Sequence, residues 1–248
     1  MTQDEIRALF PGTGIATVRI LEKLGHEVVY PTDQTCCGQI HFNTGYRREA
    51  LRLLKRFLQV FDGSEIVVAP SASCVAMVRE HYLEIVRDAG DSVLEVAIRD
   101  LVARTHELSE FLVGVLGVQN MGAVFPHRVA YHPTCHSMRG IDVGTAPLQL
   151  LREVEGLHLV DFPDSEGCCG FGGTFSVKNP HTSMAMLDDK IRVIRRSGAE
   201  VLTAVDNSCL LHIAGGMHRS EPLTEGGGPK IRVMHLAEIL VSGWDQVS

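Results

Sequence analysis

The chain has 248 residues, enough for one large domain or two small ones around a sizeable buried core. A net charge of −7 gives no basic excess that would mark nucleic acid as a general partner, and no apolar run approaches the roughly 18 to 20 residues that span a bilayer. The acidic start, MTQDEIRALF, has neither the basic nor the apolar region of a signal peptide, so the expected location is cytoplasmic.

Taken in order, residues 14–25 read as a helix: Ile15, Val18, Leu21 and Leu24 recur at three- to four-residue spacing and Gly25 is the stop. HEVVYP (26–31) follows as a short β-rich run ended by Pro31, then a loop carrying Cys36 and Cys37. A second helix is expected from Tyr46 to Phe61, with Leu51, Leu54, Leu58 and Phe61 on one face and Arg48, Arg52, Lys55 and Arg56 on a solvated one. EIVVAPS (65–71) has the β-branched run of a buried parallel strand and delivers the chain to Cys74. Residues 75–117 read as largely helical, and MGAVFPH (121–127) as a boundary.

The second half repeats this order. RVAYHPTCH (128–136) is a strand leading to Cys135, residues 144–156 a helix, LHLVDFP (157–163) a strand, and SEGCCGFGG a loop carrying Cys168 and Cys169. A long helix is expected from Pro180 to about Ser197, then a strand leading to Cys209, a helix, the glycine-rich EGGG, and a last strand and helix. Cys36 and Cys168 lie 132 positions apart, and Cys74 and Cys209 lie 135 apart, so the repeat is about half the chain. A period this long implies a duplicated domain, with halves 1–121 and 122–248. The fold class is α/β: two pseudo-repeated small units with parallel sheets flanked by helices, and cysteine loops at the strand C-terminal ends, where ligands of such sheets bind. One piece is missing. Residues 3–5, opposite Cys135, are Gln3, Asp4 and Glu5, and no strand precedes them, so either the protein starts upstream or this copy has decayed.

Seven cysteines arranged in two matched sets suit metal binding or redox chemistry better than disulfides in a reducing compartment. Packing as small hydrophobes explains one isolated cysteine but not two matched sets. Cys135, Cys168, Cys169 and Cys209 supply the four thiolates of a [4Fe–4S] unit, with glycines at 167, 170, 172 and 173 bringing backbone N–H groups close. An all-thiolate zinc site is the alternative, although neither half has a C-x2-C knuckle. Catalytic thiol chemistry, with His132 or His136 beside Cys135, is a third reading, and both histidines also suit a supporting role around a metal. GFGG lacks the Lys–Ser/Thr ending of a P-loop.

Two copies of Cys, about thirty residues, Cys-Cys-Gly, thirty-odd residues, Cys resemble the cysteine-rich, or CCG, domain family, which includes the cysteine-rich component of heterodisulfide reductase and the iron–sulfur component of glycolate oxidase. QTCCGQ, FNTGY, SASC, ELSEFLV, CCGFGGTFSVK and VMHLAEIL are similar to its lactate-utilisation branch over almost the whole chain. That resemblance implies an iron–sulfur subunit of a system oxidising L-lactate to pyruvate, acting with lactate utilisation proteins B and C. Two departures stand out. Relatives of the heterodisulfide type end each motif in C-x-x-C, where this chain has Met77 and His212, and Asp4 lies where the lactate-type pattern has a cysteine before LFP. The expectation is therefore a cluster on Cys135, Cys168, Cys169 and Cys209. Cys36, Cys37 and Cys74 form a second site for a cluster, for zinc, or for neither. A glycolate-type subunit and a zinc-stabilised structural subunit without a redox role are the alternatives.

Overall fold

A computed structural model describes residues 10–219 and 230–244. Gln3, Asp4, Glu5 and the EGGG loop lie outside these residues.

The first half opens with α1 (Pro11–Lys23), where proline occupies the first turn and Gly25, at φ +87°, ends the helix. Next come α2 (Gln39–Asn43), α3 (Arg47–Val60) and β1 (Val67–Ala69). Helix α4 (Ala72–Ala76) runs through a π-helical turn, Met77–His81, into α5 (Tyr82–Ala89). Helix α6 (Ser92–Ala103), β2 (Thr105–Glu107) and α7 (Leu108–Glu110) complete the half, with a second π-helical turn at Phe111–Val115. Strands β1 and β2 are parallel, with Val67 opposite Thr105.

The second half holds β3 (Arg128–Tyr131), α8 (Cys135–Arg139), α9 (Ala146–Arg152) and β4 (His158–Leu159). It continues with α10 (Phe175–Lys178), α11 (Pro180–Arg196), β5 (Val201–Ala204), α12 (Asn207–Arg219), β6 (Arg232–His235) and α13 (Leu236–Leu240). Its four strands are parallel in the order β4-β3-β5-β6. Alternate residues of these strands enter different cores, as the two-residue period of a strand requires. Val129, Val201 and Val205 pack with α1, α9 and α13, whereas Ala130, Leu202 and Ala204 pack with α11 and α12. The first of these cores also takes Ala16, Ile20, Ala72, Leu108 and Leu112, so it is built from both halves of the chain. The α/β class with two parallel sheets flanked by helices is as expected.

Two expectations need correcting. HEVVYP forms no strand: Val29 is 76% and Tyr30 40% exposed. Its counterpart, β4, exists because it pairs with β3, and among the described residues the first sheet holds only β1 and β2. A β-rich run without a neighbour leaves its backbone groups to water and gains nothing by extending. Conversely, residues 75–117 are not all helical. Thr105, His106 and Glu107 form β2, a strand with two fully buried polar residues and none of the usual β-branched apolar pattern. At the expected boundary, MGAVFPH is packed in: Met121, Ala123 and Phe125 are buried, and Met121 O accepts from Lys23 Nζ (3.2 Å) and Trp244 Nε1 (3.1 Å).

Candidate metal centre

All four helix-borne or loop-borne thiols of the second half reach one end of its sheet. The strands end short of the cysteines. Cys135 begins α8 directly after β3, and Cys209 is the third residue of α12 after β5, so both thiols ride on first helical turns. Cys168 and Cys169 arrive in a loop whose shape depends on Gly170, at φ +86°, where a Cβ would lie 2.5 Å from Ser183 O. Gly170 N donates to Cys168 Sγ at 3.3 Å, and Ser183 Oγ donates to Gly170 O at 2.8 Å. Lys190 of α11 is almost fully buried and fixes the start of the loop, donating to Asp164 O (2.5 Å) and Ser165 O (3.1 Å).

The four thiols influence one another electrostatically. Cys168 is pulled far below the ordinary thiol range by hydrogen bonding with Cys135, then with Cys169, while those two are pushed far above it, chiefly by Cys168. Cys209 is drawn down to about 7, chiefly by its hydrogen bond with Cys169. Protons shared along a row of thiols are what a soft cation displaces on binding. One ring nitrogen of His132 and the sulfurs of Cys169 and Cys209 lie within 4.8 Å of one another, a set able to hold a metal ion. Cys169 and Cys209 also pack in the apolar core of α11 and α12, which keeps water from that side. The donors are soft, sheltered and close to a backbone N–H, and this fits thiolate-ligated iron–sulfur or zinc.

Cys36, Cys37 and Cys74 also come together, in the first half. Cys37 Sγ donates to Cys74 Sγ at 3.3 Å, and Gly38 N, at φ +88°, donates to Cys36 Sγ at 3.4 Å. The Cys-Cys-Gly turn is thus built twice in the same way. Cys36 is drawn down to about 6, chiefly by Cys37, and Cys37 is pushed up by Cys36 and Cys74. Tyr82, buried beneath this site, donates to Cys37 O at 2.9 Å.

Asp206, to which no motif in the sequence points, joins the two sites. It is 1% exposed and accepts at Oδ1 from Ser71 Oγ and Ser73 N (both 3.0 Å) and at Oδ2 from Thr134 Oγ1 (2.6 Å). Ser71 caps α4, which carries Cys74, and Thr134 caps α8, which carries Cys135. One carboxylate therefore ties the starts of α4 and α8 together from the residue that precedes α12. Gln39, two residues beyond Cys37, adds a second tie: its Nε2 donates to Ser73 O (2.9 Å) and lies 3.2 Å from His136 Nε2. His136 is turned toward the first site, and His212 toward Ser183 Oγ (3.4 Å).

A family model described as cysteine-rich domain (CCG) matches residues 5–79 and 129–214. The chain is similar to lactate utilization protein A of Exiguobacterium sp., 44% identical over 240 residues that cover 96% of this chain and 94% of that protein. The protein of that name from Oceanobacillus iheyensis is 44% identical, covering 94% of this chain and 91% of its own. The one from Bacillus subtilis is 41% identical, covering 92% of each.

Proposed function

The chain belongs to the cysteine-rich domain family, and from that premise we propose that it is an iron–sulfur redox subunit of a system oxidising L-lactate to pyruvate. The observation that carries the metal half of this reading is the group of His132, Cys169 and Cys209, whose donor atoms lie within 4.8 Å of one another, with Cys168 and Cys135 linked to it through hydrogen bonds between thiols. Lactate rests on the names of the relatives. A [4Fe–4S]-type cluster held by these four thiolates would supply one-electron acceptor and donor chemistry. The chain itself supplies the ligands, a dry wall from α11 and α12, the Gly170 N–H toward a ligating sulfur, and the buried Lys190 that anchors the cysteine loop. Cys36, Cys37 and Cys74 offer a second site, for another cluster or for zinc.

Each half, 1–121 and 122–248, is proposed as one cysteine-rich repeat, with the shared core and Asp206 binding them into one body. No flavin or nicotinamide motif is present in the sequence, so substrate oxidation is assigned to an assembly with lactate utilisation proteins B and C in the cytoplasm. Among the described residues no helix is long and apolar enough to cross a membrane. A zinc-stabilised structural subunit is the second reading, favoured by the His132, Cys169 and Cys209 group, whose donors zinc also takes.

The test is anaerobic mixing of the protein with the two partners and L-lactate, followed by visible absorbance. Bleaching that requires both lactate and the partners supports the proposal. Colourless protein with stoichiometric zinc, or bleaching by glycolate and not by lactate, overturns it.

A further inference from the structure

Three histidines lie next to the second-half thiols in the chain, and the structure gives each a different task. His136 meets Gln39 of the first half. His212 faces Ser183 Oγ, whose hydrogen already goes to Gly170 O, so His212 must be the donor in that contact, and its ring packs on Phe171. These two hold loops.

His132 is different. It is 1% exposed, and its backbone N–H is fixed to Thr203 O at 2.8 Å, which ties it to β5. One of its ring nitrogens belongs to the donor group with Cys169 and Cys209. Nδ1 lies 3.3 Å from Ser165 O, and a carbonyl can only accept, so Nδ1 carries a hydrogen. That leaves Nε2 as the nitrogen able to bind a metal. An imidazole that donates one N–H to a backbone carbonyl and directs the other nitrogen into a cluster of thiols has the arrangement of a metal ligand.

We infer that His132 is a direct ligand of the second-half metal centre, which is then of mixed thiolate–imidazole type. The inference rests on the reading that these cysteines hold a metal. Five donors are then available, and a four-ligand centre takes His132 in place of one of the four thiolates. A neutral imidazole among thiolates lowers the negative charge of the centre and favours its reduced state. The two sites of the chain would then differ in kind, because among the described residues the close donor group containing a histidine is found only in the second half.

X-ray absorption at the edge of whichever metal the anaerobically purified full-length protein holds tests this directly. The expected result is imidazole scattering in the wild type that is lost in His132→Cys and retained in His136→Ala and His212→Ala. His132→Cys should keep its metal, since it restores a thiolate, while His132→Ala should lose at least about tenfold in affinity against a competing chelator. Circular dichroism establishes that each variant is folded, and His132→Cys keeps the test valid if the alanine variant is not. A sulfur-only shell in metal-loaded wild type, or imidazole scattering that survives in His132→Cys, overturns the ligand assignment. Wild type without metal overturns the reading beneath it.

Discussion

Removing the carboxylate of Asp206 should unsettle both cysteine sites at once. In Asp206→Ala, Ser73 N–H and Thr134 Oγ1–H lose their acceptor, while Ser71 Oγ–H can turn to Ser73 Oγ, 3.2 Å away. Each stranded buried donor costs about 1–3 kcal/mol, and neighbours do not add fully, so the expected loss is about 2–5 kcal/mol. Asp206→Asn keeps one oxygen acceptor for the Ser71 and Ser73 side and offers an N–H to Thr134 Oγ1, so it should lose about 1–2 kcal/mol. Urea unfolding of metal-free protein is the assay, because bound metal would mask the difference by mass action. A loss below about 1 kcal/mol for the alanine variant would refute the idea that this carboxylate organises the starts of α4 and α8.

Three further outcomes follow from the geometry. Gly170→Ala should cost about 3 kcal/mol or more, combining a positive φ with a Cβ 2.5 Å from Ser183 O; Gly38→Ala has a similar φ but no contact closer than 3.4 Å, and should cost about 1–2 kcal/mol in parallel unfolding curves. Burial pushes Glu107 up to about 7, so between the unfolded value and about pH 7 the folded state holds the extra proton and stability falls as pH rises; Glu107→Gln should be near neutral at about pH 5 and about 3 kcal/mol more stable than wild type at about pH 8. Lys190→Met keeps the packing of the stem but frees Asp164 O and Ser165 O, so it should lower metal retention against a chelator more than it lowers stability in the metal-free state.

The regular elements were legible where a local pattern sufficed. The spacing of Ile15, Val18, Leu21 and Leu24 marked α1, the β-branched runs marked β1 and β5, and Pro180 marked the start of α11. What escaped depends on partners distant in sequence. Val28, Val29 and Tyr30 have strand composition, but a strand needs a neighbour, and that is a property of the sheet. Thr105–Glu107 has polar composition, and its burial is secured by Ser109, Glu110 and Arg79, which supply hydrogen bonds to it. The cysteine sets could be read because the chain states them twice. Asp206 sits opposite Ser71 in the same alignment that matched Cys209 to Cys74, so a signal was present: a serine that caps its own helix is replaced by an acid that reaches two others. His132 was visible as a neighbour of Cys135, but its proximity to Cys169 and Cys209 emerges only once β3 and β5 lie side by side.

The central claim, that the chain is an iron–sulfur redox subunit, is tested most directly by iron and acid-labile sulfide analysis of anaerobically purified protein, with visible absorbance before and after dithionite. The expected result is brown protein that bleaches, with iron and sulfide at about four per chain for one cluster on Cys135, Cys168, Cys169 and Cys209, or about eight if Cys36, Cys37 and Cys74 hold another. Zinc without sulfide, in protein with no redox-dependent absorbance, would contradict it.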